Sequence, residues 1–134
     1  MVELLSDDKT LTEEQREYVS SIHLSAKALL TIVNDILDFS KIESGRLDIE
    51  KVPFNLCSVV GELCKLLAMF ANQKGLEFVY DNFMDENLEV IGDPGRTRQV
   101  LSNLLTNALK FTKEGSVKLT VSSTLTEPRD SDED

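Results

Sequence analysis

One stretch of the sequence carries a polar stripe that could bind a metal–phosphate complex. Asn103, Asn107 and Lys110 are spaced at i, i+4 and i+7, so a helix would place all three side chains on one face. Amide oxygens are hard ligands for Mg²⁺, which usually keeps several waters and binds through phosphates. A lysine one turn further could stabilise the phosphate charge. Asn and Lys are also common on the solvated face of an ordinary helix. Chemistry alone therefore leaves two interpretations open, a metal–phosphate site and a solvated surface.

The stripe falls within a segment whose first residues are typical of a helix start. Asp93 suits the N-cap and Pro94 the first helical position. We therefore expect a helix that runs to about Phe111. After a turn at 113–115, apolar and polar residues alternate over 117–121, which predicts a strand.

A longer helix is predicted near the N-terminus. Thr12 and Gln15 fit a capping box, and Gly45 is typical of the position just past a helix that ends near Glu43. Apolar or small residues recur at alternating spacings of three and four: Val19, Ile22, Ala26, Leu29, Val33, Ile36 and Ser40. Leu30 and Leu37 extend this stripe, which we call the helix seam. The seam favours a bundle or coiled-coil helix that needs a partner. An ordinary amphipathic helix packed on its own core is the alternative.

The residues between the two helices predict short alternating elements. We expect a strand over 47–56 that Pro53 interrupts, because alternation of apolar and polar residues continues on both sides of it. Apolar residues then recur at helical spacing from Val59 to Phe70, and this helix should end at Lys74 and Gly75. A short strand at 77–80, a loop at 84–88 and a strand at 88–91 complete the segment.

Composition excludes several classes of function. The 134 residues include 24 acidic and 14 basic side chains, which gives a net charge of −10. Such a surface repels phosphate backbones and anionic lipids, so we expect neither nucleic-acid nor membrane binding. The longest apolar run, 66–71, is far below the roughly 18–20 residues of a membrane helix. Because Glu3, Asp7 and Asp8 stand where a signal peptide would be basic, we expect a cytoplasmic location.

The cysteines and the single histidine offer little chemistry. Cys57 and Cys64 lie seven residues apart in a predicted helix, so their backbones would be about 10 Å apart, beyond disulfide reach. We expect both to be reduced packing residues. His23 is flanked by Ile22 and Leu24, with no acid directly beside it to act as a base. We expect it to pack or to face solvent.

Two longer motifs carry a resemblance to a known family. Asn-Leu-Leu-x-Asn-Ala-x-Lys-Phe-Thr at 103–112, preceded by Gly-Asp-x-x-Arg-x-Arg-Gln-Val-Leu at 92–101, resembles the N box of sensor histidine kinases. Residues 29–45 resemble the end of the dimerisation domain of those kinases, especially the hybrid ones. The resemblance runs from about Glu3 to Ser122. It implies an α+β fold, with a long bundle-type dimerisation helix followed by an incomplete Bergerat α/β sandwich.

The resemblance also implies domain limits and partners. Residues 1–45 would be the C-terminal part of the dimerisation and phosphotransfer domain, and 46–126 the N-terminal half of the ATP-binding domain. Residues 127–134 carry five acids and would form an acidic disordered tail. The helix at 12–43 would pair in a homodimer or with a kinase partner. A receiver domain would be a further partner of the parent protein.

Residue by residue, the resemblance assigns a site for Mg²⁺ and ATP in the complete parent domain. Asn107 matches the Mg²⁺-binding asparagine of the N box, and Asn103 matches a second asparagine that faces the metal and phosphates. Lys110 matches the phosphate-contacting lysine, and Phe111 the aromatic residue beside the nucleotide. Arg96 matches an arginine that we take to be mainly structural.

The sequence departs from the family pattern at several points. Thr97 replaces a leucine common in the family, which alters packing more than chemistry. The phosphoaccepting histidine would stand before Met1, and His23 cannot substitute for it because it lies on the second dimerisation helix. The glycine-rich loops that hold adenine would follow the strand at 117–121. We therefore expect no catalytic residue here and at most weak ATP binding.

The first functional interpretation is a part of a phosphorelay sensor histidine kinase, inactive as this piece alone. The parent would transfer the γ-phosphoryl group of Mg·ATP to histidine and then to a receiver aspartate. The alternative is a non-catalytic interaction module that pairs through the seam at 19–40, either with a full-length kinase or with itself. A chaperone-type or mismatch-repair-type Bergerat ATPase is disfavoured, because those enzymes carry a glutamate base where this chain has Asn103.

Overall fold

The computed structural model describes residues 10–124, and the chain divides into two units at Asp48 and Ile49. The first contains a long helix, and the second contains two helices and four short strands. The predicted α+β class is therefore confirmed. The predicted tail at 127–134 lies outside the described residues. No helix among residues 10–124 is both long and apolar enough to cross a membrane.

Helix α1 spans Glu13–Glu43, as its capping signals predicted. The Gln15 N–H donates to Thr12 Oγ1 at 3.3 Å, and the Thr12 N–H donates to Gln15 Oε1 at 2.9 Å, so the capping box forms in full. The chain leaves the helix at Gly45, whose φ of +67° is the left-handed conformation that glycine adopts without strain.

No residue of α1 is buried. The large apolar residues of the helix seam from Ile22 to Leu37 are exposed, for example Leu29 at 63% and Ile36 at 59%, and Val19 is half-buried. The capping box and the helical hydrogen bonds stabilise the backbone of α1. The apolar stripe on its surface is nevertheless exposed to solvent.

The second unit, which we call the α/β unit, contains strand β1 (Val52–Asn55), helix α2 (Leu56–Gln73), strand β2 (Glu77–Phe83), strand β3 (Glu89–Gly92), helix α3 (Pro94–Phe111) and strand β4 (Ser116–Ser122). Strands β1 and β3 pair antiparallel, with Val52 opposite Gly92. Strands β2 and β4 pair parallel, with Glu77 opposite Ser116.

The core of the α/β unit lies where α2 and α3 pack with strand β4. Ala71 is 0% exposed and Val60 is 1% exposed. One connected cluster of buried apolar residues joins the two helices and the strand: Leu63, Leu67, Ala71, Leu76, Leu105, Leu109 and Val117. Burial of this cluster is the main stabilising contribution that the unit supplies by itself.

The strands differ in extent from the sequence prediction. The predicted strand at 47–56 was wrong, because only Val52–Asn55 is a strand and Leu56 already begins α2. Pro53 lies within β1 rather than interrupting it. Strand β1 is paired on one side, by β3, and a residue without an N–H is tolerated on such an edge strand.

The remaining strands are shifted or lengthened by their partners. Strand β2 continues to Phe83, three residues beyond the prediction, because β4 pairs with it along all seven positions. Strand β3 starts at Glu89 and reaches Gly92, whereas the alternation of apolar residues had indicated 88–91. Helix α2 ends at Lys74 and Gly75 as predicted, with φ of +71° at Gly75.

Candidate functional site

The start of α3 is fixed by Asp93. Its Oδ1 accepts the Arg96 N–H at 2.9 Å, as the predicted N-cap requires, and its Oδ2 accepts the Glu50 N–H at 3.1 Å. The hydrogen bond from the Arg96 N–H is the main reason that the pKa of the Asp93 carboxyl is lowered, and the Glu50 N–H acts in the same direction. One carboxylate thus caps the candidate-site helix and ties residue 50 to it.

Helix α3 separates a buried face from an exposed polar face. Leu105 and Leu109 are 7% and 5% exposed within the core cluster. Asn103, Asn107 and Lys110 are exposed, and among residues 10–124 neither carboxamide has a hydrogen-bond partner in the protein. The core side of the helix therefore fixes the backbone, and both amide oxygens are left available to a ligand.

The stripe ends at a cation–aromatic pair. Lys110 Nζ lies 5.5 Å from the centroid of the Phe111 ring, within the range of a cation–π interaction. Phe111 is 74% exposed. A positive charge and a flat apolar ring thus stand together at the C-terminal end of α3.

The polar face of α3 has the chemistry to bind a metal ion that is already coordinated by phosphates. Among residues 10–124, no three His, Cys, Asp or Glu side chains form a group that could hold a metal ion. Asn103 and Asn107 supply neutral oxygens, which fit Mg²⁺ bound mainly by phosphates and water. The residues present are therefore compatible with Mg²⁺ held by a polyphosphate.

The chain is similar to characterised proteins over most of its length. The family model described as "His Kinase A (phospho-acceptor) domain" matches residues 1–45. The sensor histidine kinase GacS of Pseudomonas protegens is 46% identical over 107 residues, which cover 80% of this chain and 12% of that protein. The signal transduction histidine-protein kinase BarA of Escherichia coli K12 is 45% identical over 111 residues, 83% of this chain and 12% of that protein.

This chain belongs to the sensor histidine kinase family. Full-length ShkA, solved in complex with AMPPNP, matches 92% of the chain with 34% identity and a TM-score of 0.69, and 26% of ShkA is covered. Histidine kinase ThkA, solved in complex with the response regulator protein TrrA, matches 90% of the chain with 27% identity and a TM-score of 0.59, and 34% of ThkA is covered. The chain spans about 12% of the length of the curated relatives that it matches.

Two residues at the start of α3 have local structural contacts in this kinase segment. Arg96 donates from Nη1 to Gln99 Oε1 at 2.8 Å, and Thr97 donates from Oγ1 to the Asp93 carbonyl at 2.8 Å. Both residues line a cavity of about 510 Å³ whose other walls are mostly apolar: Ile49, Leu56, Val60, Asp93, Val100, Leu101 and Val121. The structural role of Arg96 stays a prediction.

The histidine and the two cysteines belong to helices other than α3. His23 is half-buried on α1. Cys64 is buried in α2, where desolvation raises the pKa of its thiol. Cys57 is half-buried, and its Sγ–H donates to the Asp85 carbonyl at 3.1 Å. Both thiols are free, as the spacing predicted.

Two cross-helix contacts were not found by sequence reasoning. Arg98 on α3 pairs with Glu62 on α2 at 2.8 Å, at an exposed position where such pairs contribute little. Lys74, predicted only as the end of α2, donates from Nζ to the main-chain carbonyl of Leu109 on α3. No local pattern marks either pair, because the partners lie more than thirty residues apart in sequence.

Proposed function

We propose that this chain is part of a phosphorelay kinase that transfers the γ-phosphoryl group of Mg·ATP to a histidine and then to a receiver aspartate. The observation that carries the proposal is the exposed stripe of Asn103, Asn107 and Lys110 on a helix with a capped start and a buried opposite face. ShkA was solved with AMPPNP, an analogue of ATP, and ThkA with a response regulator. These relatives support the choice of nucleotide and of partner.

In this proposal each residue of the stripe has a distinct role. Mg²⁺, when bound, would neutralise charge that develops on the phosphates. Asn107 and Asn103 would orient the hydrated ion through their amide oxygens. Lys110 would hold a phosphate oxygen as a charged donor, and Phe111 would cover the nucleotide on one side. The remaining parts of the site would come from parts of the parent kinase other than this chain, so we expect the 134-residue chain to be inactive alone.

We infer a dimerisation role for α1 within the same kinase. The exposed seam, with Leu29 and Ile36 in its middle, supports this role because an apolar stripe of this length favours a partner helix. The same observation supports the alternative function, a non-catalytic module that pairs through residues 19–40. We place the dimerisation part at 1–45 and the ATP-binding part at 46–126. We also propose a cytoplasmic location for the segment.

Substitution of Asn107 in the parent kinase tests the proposal. Asn107→Ala or Asn107→Asp should abolish ATP turnover and leave the far-ultraviolet circular dichroism and the melting temperature close to those of the unmodified kinase. Asn72→Ala is the matched control, because Asn72 is an exposed asparagine near the end of α2. Turnover that survives in both Asn107 variants would refute the assignment of the stripe.

A further inference from the structure

Lys74 joins the C-terminal ends of the two helices of the α/β unit. It caps α2, and its Nζ donates a hydrogen bond of 2.5 Å to the main-chain carbonyl of Leu109, 35 residues further along the chain. This carbonyl is one of the last four of α3, which lack an N–H partner within the helix. An ammonium group is also favoured at the negative end of a helix. The contact is therefore suited to hold the last turn of α3.

Side-chain packing does not fill this end of the helix pair. A cavity of about 320 Å³ is lined by residues of both helices: Leu67, Phe70, Lys74, Thr106, Leu109 and Lys110. A helix end beside such a space has fewer apolar contacts to oppose fraying. The hydrogen bond from Lys74 adds a polar connection between the two helices beside the apolar contacts of the core cluster.

The last turn of α3 carries residues of the candidate site. Leu109 is followed directly by Lys110 and Phe111, whose ammonium and ring lie 5.5 Å apart. Movement of the Leu109 carbonyl would move the side chains of Lys110 and Phe111 relative to Asn107, which lies about half a turn before Leu109. We propose that Lys74 is a positioning residue of the candidate nucleotide site, which holds Lys110 and Phe111 in place before any ligand binds. This inference rests on the proposed function.

Three substitutions separate this role from a general effect of charge. Lys74→Met keeps an unbranched side chain as far as Cε but removes the ammonium group. Lys74→Arg keeps a positive charge and donors that can reach a carbonyl. Lys65→Met is the matched control, because Lys65 is an exposed lysine on the same helix with no hydrogen bond to α3 among the described residues.

Amide hydrogen exchange in the absence of nucleotide measures how strongly Lys74 stabilises the last turn of α3. In Lys74→Met we expect the amides of residues 109–112 to exchange roughly tenfold faster, because a charge-assisted hydrogen bond is lost. Lys74→Arg and Lys65→Met should exchange at the rate of the unmodified chain. Equal rates in Lys74→Met and the unmodified chain would overturn the proposal.

A nuclear magnetic resonance titration with magnesium and inorganic triphosphate then tests positioning. In Lys74→Met the ring-current shift of the Lys110 side chain should shrink, and half-saturation should need a severalfold higher triphosphate concentration. Lys74→Arg should restore both. Faster exchange with an unchanged titration would make Lys74 a stabilising contact only and overturn its positioning role. If the unmodified chain does not respond to triphosphate, the proposed function fails, whereas the exchange comparison still decides whether Lys74 holds the last turn.

Discussion

Helix α1 and the α/β unit differ in how much of their apolar surface is buried. Helix α1 has no buried residue, although its seam carries several large apolar side chains. The α/β unit buries a connected cluster and leaves polar residues on the outer face of α3. The α/β unit therefore has an apolar core of its own, and we expect the apolar stripe of α1 to pack against a partner surface.

The difference in burial between α1 and α3 suits two different functions. A site that must present three side chains in fixed positions requires a rigid helix, and the core beneath α3 provides it through Leu105 and Leu109. A surface that must pair with another molecule requires the reverse, an apolar stripe that stays accessible until the partner arrives. In the proposed function, α1 would serve dimerisation and α3 would serve nucleotide binding.

The largest expected effect concerns the seam. We expect the 134-residue chain to form dimers or larger species through α1, because burial of even half of the seam would contribute several kcal/mol at about 25 cal/mol per Å². Salt should favour association, since it screens the net charge of −10. Replacing Leu29 and Ile36 together with Glu should give a monomer by light scattering, with the α/β unit intact.

A matched control distinguishes the loss of apolar seam residues from the effect of the added negative charge on association. Ser20→Glu and Thr31→Glu together add the same charge on the side of α1 away from the seam, and this double variant should still associate. A clean monomer for the unmodified chain at tens of micromolar would contradict the seam as an interface.

The next largest effect concerns the core beneath the candidate site. Leu105→Ala should lower the free energy of unfolding of the α/β unit by about 2–4 kcal/mol, because Leu105 is 7% exposed and its removal leaves a cavity. Leu104→Ala is the neighbouring control, and it should cost much less because Leu104 is 63% exposed. Urea unfolding followed by circular dichroism measures both. Equal losses would show that α3 does not have the assigned buried face.

The smallest effect concerns the cap of α3. The pKa of Asp93 is lowered in the folded chain, so its stabilising effect is present above the ordinary pKa of about 3.9 and is lost as the pH falls through the folded pKa. Asp93→Asn keeps a capping side chain without the charge. Its loss of stability should be greatest near neutral pH and should shrink below about pH 4. A loss that is constant from pH 3 to pH 7 would contradict the lowered pKa.

Local signals predicted the helices better than the strands. Thr12, Asp93 and Gly45 act on neighbouring residues, so the ends that they cap could be placed from the sequence. The extent of β2 depends on its pairing with β4, and the contact between Lys74 and Leu109 joins residues far apart in the chain. Periodicity carries no information on such pairings, and for that reason both were missed.

The site residues were found through a motif rather than through periodicity. Spacing alone placed Asn103, Asn107 and Lys110 on one face, and the structure has all three exposed on α3. A solvated polar face would show the same spacing. The nucleotide role came from the resemblance to the N box, and it stays a prediction until binding is measured.

We propose that the stripe on α3 binds the metal and phosphates of Mg·ATP, and the side-chain amide signals of Asn103 and Asn107 report directly on this binding. In the ¹⁵N-labelled chain we expect Mg·ATP to shift these signals and those of Lys110, with half-saturation in the millimolar range. Magnesium triphosphate should act equally well, because the stripe contacts metal and phosphates only. Asn107→Ala should remove the response. Shifts confined to other residues, or none at millimolar nucleotide, would contradict the claim.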